Sequence, residues 1–373
     1  MKSINTYIVE KLKKINSKNV NSHYKYFPTT NDEFEKIVIK LINERGNDAD
    51  LNDINTSKIT DMLQIFAGSE FNGDISEWDV SNVQNMRGMF YHSSFNGDIS
   101  NWDVSKVTNM QNMFEGSKFN GDITNWNVSK VRNMGNMFAN SDFNNDISKW
   151  DVSAVEDSSN MFFNTKFNGD ISNWKTSRMT LMYGMFGNSE FNGDISKWDL
   201  SNCVNMQSMF YNSKFKGDIS KWNVSNVKNM NSLFGNSEFD GDISNWDVSK
   251  VDTMTYMFGR SKFKGDISKW DVSNVQHMED MFFKSKFNGD ISKWNVTNVI
   301  TMKSMFEDSK FTGENGDISN WDVSNVLDMF HMFYNSKFNG YITNWNVSKV
   351  RNMGNMFKKS PLENNPPKWY KNK

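Results

Sequence analysis

Residues 95–118 read FNGDISNWDVSKVTNMQNMFEGSK, and nearly all of this 373-residue chain is built from copies of that stretch. Each copy is 24 residues long, and we number its positions from 1, which is Phe95 in this copy. All 13 tryptophans fall at position 8: Trp78, Trp102, Trp126, Trp150, Trp174, Trp198, Trp222, Trp246, Trp270, Trp294, Trp321, Trp345 and Trp369. A constant period of this length is typical of a solenoid, whose units stack along one axis. The sequence therefore predicts one elongated body rather than several globular domains.

The copies have clear ends, which divide the chain into four segments. We predict a basic amphipathic segment over 1–26, an N-terminal capping helix region over 27–50, a solenoid of about 13 coils over 51–360 and a C-terminal cap over 361–373. In the first coil, Ile54 stands at the tryptophan position. At the far end, Pro366 and Pro367 remove backbone donors that another coil would need, so we expect the addition of coils to stop there.

Charge and cysteine content exclude several classes of protein. The net charge is −2, but lysine outnumbers acidic residues six to one in the first 26 residues and five to one in the last 16, so the repeats are acidic. We therefore expect no nucleic acid to bind the solenoid. Cys203 is the only cysteine, which excludes an intrachain disulfide. It takes the place of a valine at position 13, so we expect it in the core.

The first residues are basic and lack the apolar segment of a secretion signal. No stretch has membrane-spanning length, and no lipidation cysteine is present, so we expect no transmembrane segment and a cytoplasmic or virion-associated protein. Within 1–26, apolar residues recur at helical spacing among lysines: Ile4, Tyr7, Ile8, Leu12 and Ile15. Such a helix either packs on the solenoid or docks a partner or an anionic membrane surface.

A second helix is expected after Pro28. Thr30 or Asn31 can cap its N-terminus, and Gly46 can end it. Its apolar face would consist of Phe34, Ile37, Val38, Leu41 and Ile42. We expect this helix to cover the open end of the core, because the terminal unit of a solenoid must be shielded from water.

Each coil combines two short patterns of different period. Tryptophan at position 8 and valine at position 10 have the spacing that places both on one face of an extended strand. Met-x-x-Met-Phe at positions 16–20 has the spacing of a helical turn. We therefore predict an α/β solenoid of leucine-rich-repeat type, with one short parallel strand and one short helical turn per coil. Position 3 is glycine in most copies but Asn145 or Asn364 in two, which predicts a positive φ there.

The repeated motif FNGDISxWDVSNVxNMxxMF resembles the BspA-like leucine-rich-repeat surface-protein family. The resemblance covers about residues 47–360 and rests on a dozen copies of the motif. The module of that family occurs in mycoplasma lipoproteins, gut bacteria, phages and giant viruses. The resemblance implies a non-enzymatic surface or adhesion-type binding protein at the cell surface, whereas the lack of a signal or anchor favours a phage, viral or intracellular setting.

Two rows of residues could carry chemistry or could be structural. The tryptophans could form a stacking platform, but Trp102 would share a strand face with Val104, so we expect both in the core. Stacked carboxylates at position 4 repel each other, and either backbone N–H groups or calcium ions must offset the repulsion. We favour the N–H groups. This row comprises Asp74, Asp98, Asp122, Asp146, Asp170, Asp194, Asp218, Asp242, Asp266, Asp290 and Asp317.

The repeats show no catalytic or metal-binding constellation. The four histidines, His23, His92, His277 and His331, occupy unrelated positions. No Ser-His-Asp, Cys-His or metal-ligand spacing is found. We therefore predict a protein that is not an enzyme, with no catalytic residue, no cofactor and no metal site.

The outer row beside the tryptophans is the remaining candidate for binding. On a strand, the residues before and after each tryptophan would point outward and offer repeated polar contacts to a protein or glycan. A row that is merely solvated is the alternative. The predicted interaction face comprises Asn101, Asp103, Asn125, Asn127, Lys149, Asp151, Lys197, Asp199, Lys221, Asn223, Asp247, Lys269 and Asp271.

Together these features predict a repeat scaffold for protein–protein or adhesive binding, in which many weak contacts combine by avidity. The sequence does not identify the protein or glycan partner. The alternative function is that of a phage or viral structural protein whose ends self-assemble.

Overall fold

The computed structural model describes residues 23–371 of the chain. Within that range the only helix is α1, Asn31–Arg45, and the only strand pairing consists of single-residue parallel bridges. The predicted basic segment over 1–26 lies outside the described residues except for its last four positions. The rest of the described chain is a stack of coils built from turns, which is the predicted solenoid.

A parallel ladder runs along one side of the stack. Twelve bridges join position 15 of consecutive coils, from Asp61 to Asn352. In a central coil, the backbone N–H groups of Met110, Asn112, Phe114 and Gly116 donate to carbonyls one coil further on, at 2.8–2.9 Å. We call positions 14–24 of the coils the ladder side, and positions 1–13 the indole side.

The structure corrects the predicted positions of strand and helical turn. On the indole side, the N–H of Trp102 donates to the carbonyl of Ile99 at 3.2 Å, and that of Val107 to Val104 at 2.9 Å, so the segment predicted as a strand consists of β-turns. The parallel pairing lies where the helical turn was predicted. A helix is excluded there because positions 18 and 22 have positive φ, as in Asn112 (60°) and Gly116 (65°). Successive β-turns bring residues three apart together, as a helix does, which is why the spacing misled.

Glycine at position 3 is required by space and not by φ. None of these glycines has a positive φ, so that prediction is wrong. A Cβ on Gly97 would lie 2.9 Å from the ring of Phe95 and 3.3 Å from the carbonyl oxygen of Gly73 in the preceding coil. The phenylalanine ring at position 1 of the same coil therefore excludes a side chain at most copies of this position.

The core consists of stacked aromatic rings. From Trp78 to Trp345 the tryptophans are only 3–4 % exposed, and the ring centroids of Trp102 and Trp126 lie 6.5 Å apart in nearly parallel planes. Phenylalanines of positions 1 and 20 form a second stack beside them. The prediction that the tryptophan row is core is confirmed, and the methionines of positions 16 and 19 are buried as well. Cys203 is also buried, and desolvation raises the pKa of its thiol to about 12.

The two ends of the stack are closed differently. At the N-terminal end, Thr30 caps α1 by accepting a hydrogen bond from the N–H of Glu33, and Phe34 packs edge-on against Trp78 at 5.2 Å. The helix prediction is confirmed. At the C-terminal end, Trp369 extends the tryptophan row and Tyr370 packs edge-on against Phe357 at 5.0 Å.

Candidate functional site

The predicted interaction face is exposed in full, because all thirteen of its residues lie on the surface of the indole side. The seven that follow a tryptophan also hold the local turn. Asp103, for example, accepts a hydrogen bond from the backbone N–H of Ser105 at 3.0 Å. The six that precede a tryptophan make no hydrogen bond or ion pair within the described residues. These six are Asn101, Asn125, Lys149, Lys197, Lys221 and Lys269.

One coil interrupts this face with a basic residue. Lys175 stands where other copies have Asp or Asn after the tryptophan. Together with Trp174, Lys197 and Asp199, it lines an open depression of about 360 Å³. The depression makes the predicted face concave at this coil. The residues that line it do not form a catalytic pair or triad.

The aspartates of position 4 bind backbone and not each other. All eleven accept a hydrogen bond from the N–H two residues further on, at 2.8–2.9 Å. This confirms the predicted role of the N–H groups. The backbone hydrogen bond from Ser100 holds the pKa of Asp98 below its ordinary value, while the neighbouring carboxylates of Asp74 and Asp122 act to raise it. Within 23–371, no group of three or more acidic, histidine or cysteine side chains could hold a metal ion.

The tryptophan indoles form a ladder of their own, which the sequence pattern did not reveal. Each of the 13 indole Nε1–H groups donates to a carbonyl of the preceding coil, at 2.9–3.3 Å. Trp222, for example, donates to Ile195 at 3.0 Å. Because their polar atoms are satisfied inside the stack, the tryptophans cannot act as a stacking platform for a ligand.

The ladder side carries most of the variation between coils. Positions 17, 18, 21 and 22 change from copy to copy among glycine, polar, charged and aromatic residues. Several aromatic residues of these positions are half-buried on the surface, including Phe163, Tyr211, Tyr256 and Phe283. The predicted interaction face does not include this surface, although the departure of these positions from the repeat was a visible signal.

An acidic cluster lies on the ladder side near the C-terminal end. The pKa of Asp280 is raised to about 6, mainly by burial, with Lys303 acting to lower it and Glu307 and Glu279 acting to raise it. The ring nitrogen Nδ1 of His331 lies 3.3 Å from a carboxylate oxygen of Glu307. The acidic side chains of this cluster therefore interact with one another and with Lys303 and His331.

A family model described as "Mycoplasma protein of unknown function, DUF285" matches the chain in five overlapping stretches: 34–143, 139–237, 182–285, 205–315 and 260–370. These matches extend over nearly the whole solenoid. The chain belongs to this family. As a member of the DUF285 family it is a tandem-repeat protein, in agreement with its coil stack. No curated protein and no solved structure matches the chain.

The DUF285 match carries no activity with it, since the family's function is unknown. Among the residues that the structure describes, α1 is the only helix, and it is too short and too polar to cross a membrane.

Proposed function

We propose that this DUF285 protein is a non-enzymatic binding scaffold. One observation carries the proposal: a single repeated frame keeps the interior nearly constant from coil to coil, while the residues of positions 17, 18, 21 and 22 differ on the surface. Such an array can present many contacts in a fixed order along a rigid support. The partner class is a protein or a glycan, bound by avidity over several coils.

The residues before the tryptophans are the part of the predicted face most available to a partner. Lys197, Lys221 and Lys269 are exposed and have no hydrogen-bond partner within the described residues. The residues after the tryptophans are less free, because they hold the turns. We further propose the finer relationship to BspA-like leucine-rich-repeat surface proteins, which would place the scaffold in adhesion, with the basic N-terminal segment as a second docking element.

Deletion of whole coils tests the scaffold. Residues 191–238 make up two complete coils and carry both variable ladder-side residues and the exposed Lys197 and Lys221, so removing them takes away candidate contacts and preserves the register of the stack. The full chain and this variant would be compared by bio-layer interferometry against immobilised neutral polysaccharides, heparin and purified extracellular proteins. We expect at least one probe to bind, with an affinity about tenfold weaker after the deletion. Binding to none of the probes, or equal binding by both forms, would contradict the proposal.

A second candidate, a structural protein that self-assembles, is favoured by the open edges of the ladder. Within the described residues, the carbonyls of Leu63, Ile65 and Ala67 in the first coil accept no hydrogen bond, and the N–H groups of Met353 and Phe357 at the other end donate none. Open edges of complementary type allow head-to-tail pairing. Mass photometry over a range of concentrations decides: defined oligomers support assembly, and a monomer throughout rejects it.

A further inference from the structure

Four of the aromatic rings on the ladder side form what we call the aromatic strip: Phe163, Tyr211, Tyr256 and Phe283. The centroid of Tyr256 lies 6.5 Å from that of Tyr211 and 6.1 Å from that of Phe283, with interplanar angles of 48° and 37°. Phe163 lies two coils before Tyr211, so the strip extends over five coil steps, or about 24 Å at the spacing of paired strands. All four side chains are half-buried, so part of each ring faces solvent.

Glycines form the floor of the aromatic strip. Only three coils have glycine at position 21, and those are Gly187, Gly235 and Gly259. A Cβ on Gly235 would lie 2.7 Å from one edge of the Tyr256 ring, and a Cβ on Gly259 would lie 2.6 Å from the other edge. A Cβ on Gly187 would lie 3.0 Å from the ring of Phe163. The rings of Phe163, Tyr211 and Tyr256 therefore rest against glycine backbone, whereas Arg260 and Lys284 lie over the ring of Phe283.

The surroundings of the strip are uncharged over most of its length, whereas at its far end Arg260 lies 5.3 Å and Lys284 lies 5.0 Å from the centroid of the Phe283 ring. From Ser159 to Gly259, positions 17, 18, 21 and 22 contain no charged residue, although 23 % of the chain is charged. The nearest charges along position 24 are paired with each other, as in Lys214 with Glu190 at 3.4 Å and Lys262 with Glu238 at 3.1 Å. Over most of its length this surface favours a neutral ligand, since positions 17, 18, 21 and 22 offer no counter-charge to an ionic one there.

Side-chain amides run beside the rings at position 22. The Nδ2 of Asn164 donates to the Oδ1 of Asn140 at 2.8 Å, and that of Asn212 donates to Asn188 at 2.8 Å. Asn236 continues the row by donating to Asn212. An amide has two N–H groups and two acceptor positions, so each member keeps hydrogen-bonding capacity for a ligand. The strip thus combines ring faces with groups that both donate and accept.

We propose that the aromatic strip binds a neutral polysaccharide chain running along the solenoid axis. The apolar C–H faces of sugar rings would stack on the aromatic rings, and sugar hydroxyls would exchange hydrogen bonds with the asparagine amides. A proline-rich peptide also suits aromatic grooves, but its imide units only accept hydrogen bonds and would leave the amide donors unused. Nucleic acid is disfavoured because most of the strip, from Phe163 to Tyr211, has no cation at positions 17, 18, 21 and 22 to meet the phosphates, and Arg260 and Lys284 lie at its far end. This inference rests on the proposed scaffold function and names its ligand class and surface.

The test uses the full chain and soluble probes: dextran, a β-1,3-glucan, a galactomannan, heparin and a polyproline peptide. The double variant Tyr211→Ser/Tyr256→Ser removes the centre of the strip. The matched control, Lys197→Ser/Lys221→Ser, removes two exposed residues from the indole side. Affinity electrophoresis and calorimetry measure binding, and a denaturation midpoint close to that of the parent chain verifies the fold of each variant.

We expect at least one neutral polysaccharide to bind, with an affinity about tenfold weaker for each ring removed and unchanged in the control. Gly235→Ala, which displaces the Tyr256 ring without removing it, should weaken the same interaction if the variant folds. Failure of every neutral polysaccharide to bind, or loss of polyproline binding in the ring variant, would overturn the inference. If instead the indole-side control alone loses polysaccharide binding, the scaffold function stands and the strip assignment fails.

Discussion

The two sides of each coil are held together by different parts of the chain. On the ladder side, backbone donates to backbone, with four N–H groups per coil reaching the next carbonyls. On the indole side, side chains make the bonds between coils. Trp102 donates its indole N–H to Ile75, and Asn72 accepts from the backbone N–H of Asn96.

This difference explains where the repeat can vary. A side chain that holds the backbone cannot be exchanged without losing that bond, so the indole side keeps its Asn, Asp and Trp rows. Where backbone groups bond to backbone groups, the outward side chains do not have to hold the backbone, so the residue types can differ from coil to coil. The solenoid can thus keep one frame while it changes the surface that we propose for ligand binding.

The largest expected effect comes from removing one member of the indole ladder. Trp222→Ala creates a cavity in the core and leaves the carbonyl of Ile195 without its donor. We expect a loss of about 3–5 kcal/mol in the free energy of unfolding. Tyr211→Ala, on the ladder side, should cost about 1 kcal/mol or less because its ring is only half-buried. Chemical denaturation followed by tryptophan fluorescence measures both, and equal losses would refute the contrast.

The next effect compares one glycine on each side. A Cβ on Gly217 would lie 2.7 Å from the ring of Phe215, so Gly217→Ala should cost about 1–3 kcal/mol through overpacking. Gly135, at position 17, has no positive φ, and its nearest neighbour is the terminal Oδ1 of Asn133 at 3.2 Å. We therefore expect Gly135→Ala to stay within about 0.5 kcal/mol of the parent chain. A larger loss for Gly135→Ala would show that the ladder side is not permissive.

A smaller effect sharpens the limits of that permissiveness. Asn236 lies on the ladder side with φ 56°, which asparagine and glycine adopt more easily than other residues. Asn236→Ala should cost about 1 kcal/mol, whereas Asn236→Gly should be nearly neutral because it relieves the backbone. Thermal unfolding of the two variants provides the measurement. Equal stability of the two would mean that the backbone conformation does not limit this position.

The smallest expected effects concern single carboxylates and have opposite signs on the two sides. Hydrogen bonds lower the folded pKa of Asp218 below its ordinary value of 3.8, so its contribution to stability is present at neutral pH and is lost as the pH falls below about 4. Burial raises the folded pKa of Asp280 to about 6, so its ionisation opposes folding, and stability increases as the pH falls from neutral towards 3.8.

The corresponding variants test these signs through the denaturation midpoint at several pH values. Asp280→Asn should raise the midpoint at neutral pH and remove the gain on mild acidification. Asp218→Asn should lower it slightly at neutral pH and converge with the parent chain in acid. The same pH response in both variants would exclude the assigned causes.

The interior of this fold could be predicted from the sequence, because Trp102, Val104 and the methionines recur at fixed positions and only burial explains such a row. The N-terminal helix could be predicted from Thr30 and its apolar face. The site of parallel pairing could not be predicted, because a run of β-turns has nearly the same residue spacing as a helix. The reason for glycine at position 3 could not be predicted either, since close packing and a positive φ both select glycine.

The candidate surface could be predicted only in part from the sequence. The exposure of Lys197 and its equivalents follows from the alternation around tryptophan. The aromatic strip does not, because Tyr256 is at position 18 and Tyr211 at position 21 of another coil. Only the fold shows that these rings meet over Gly235.

An alanine scan of the single coil 215–238, read out as the denaturation midpoint of each variant, tests the central claim most directly. If side chains hold the indole side and backbone holds the ladder side, the outward residues Asp218 and Asn223 should each lower the midpoint on substitution. Substitution of Lys228 and Ser232, ladder-side residues whose side chains make no hydrogen bond or ion pair within the described residues, should leave it nearly unchanged. Equal sensitivity of the outward residues on both sides, or greater sensitivity on the ladder side, would contradict the claim.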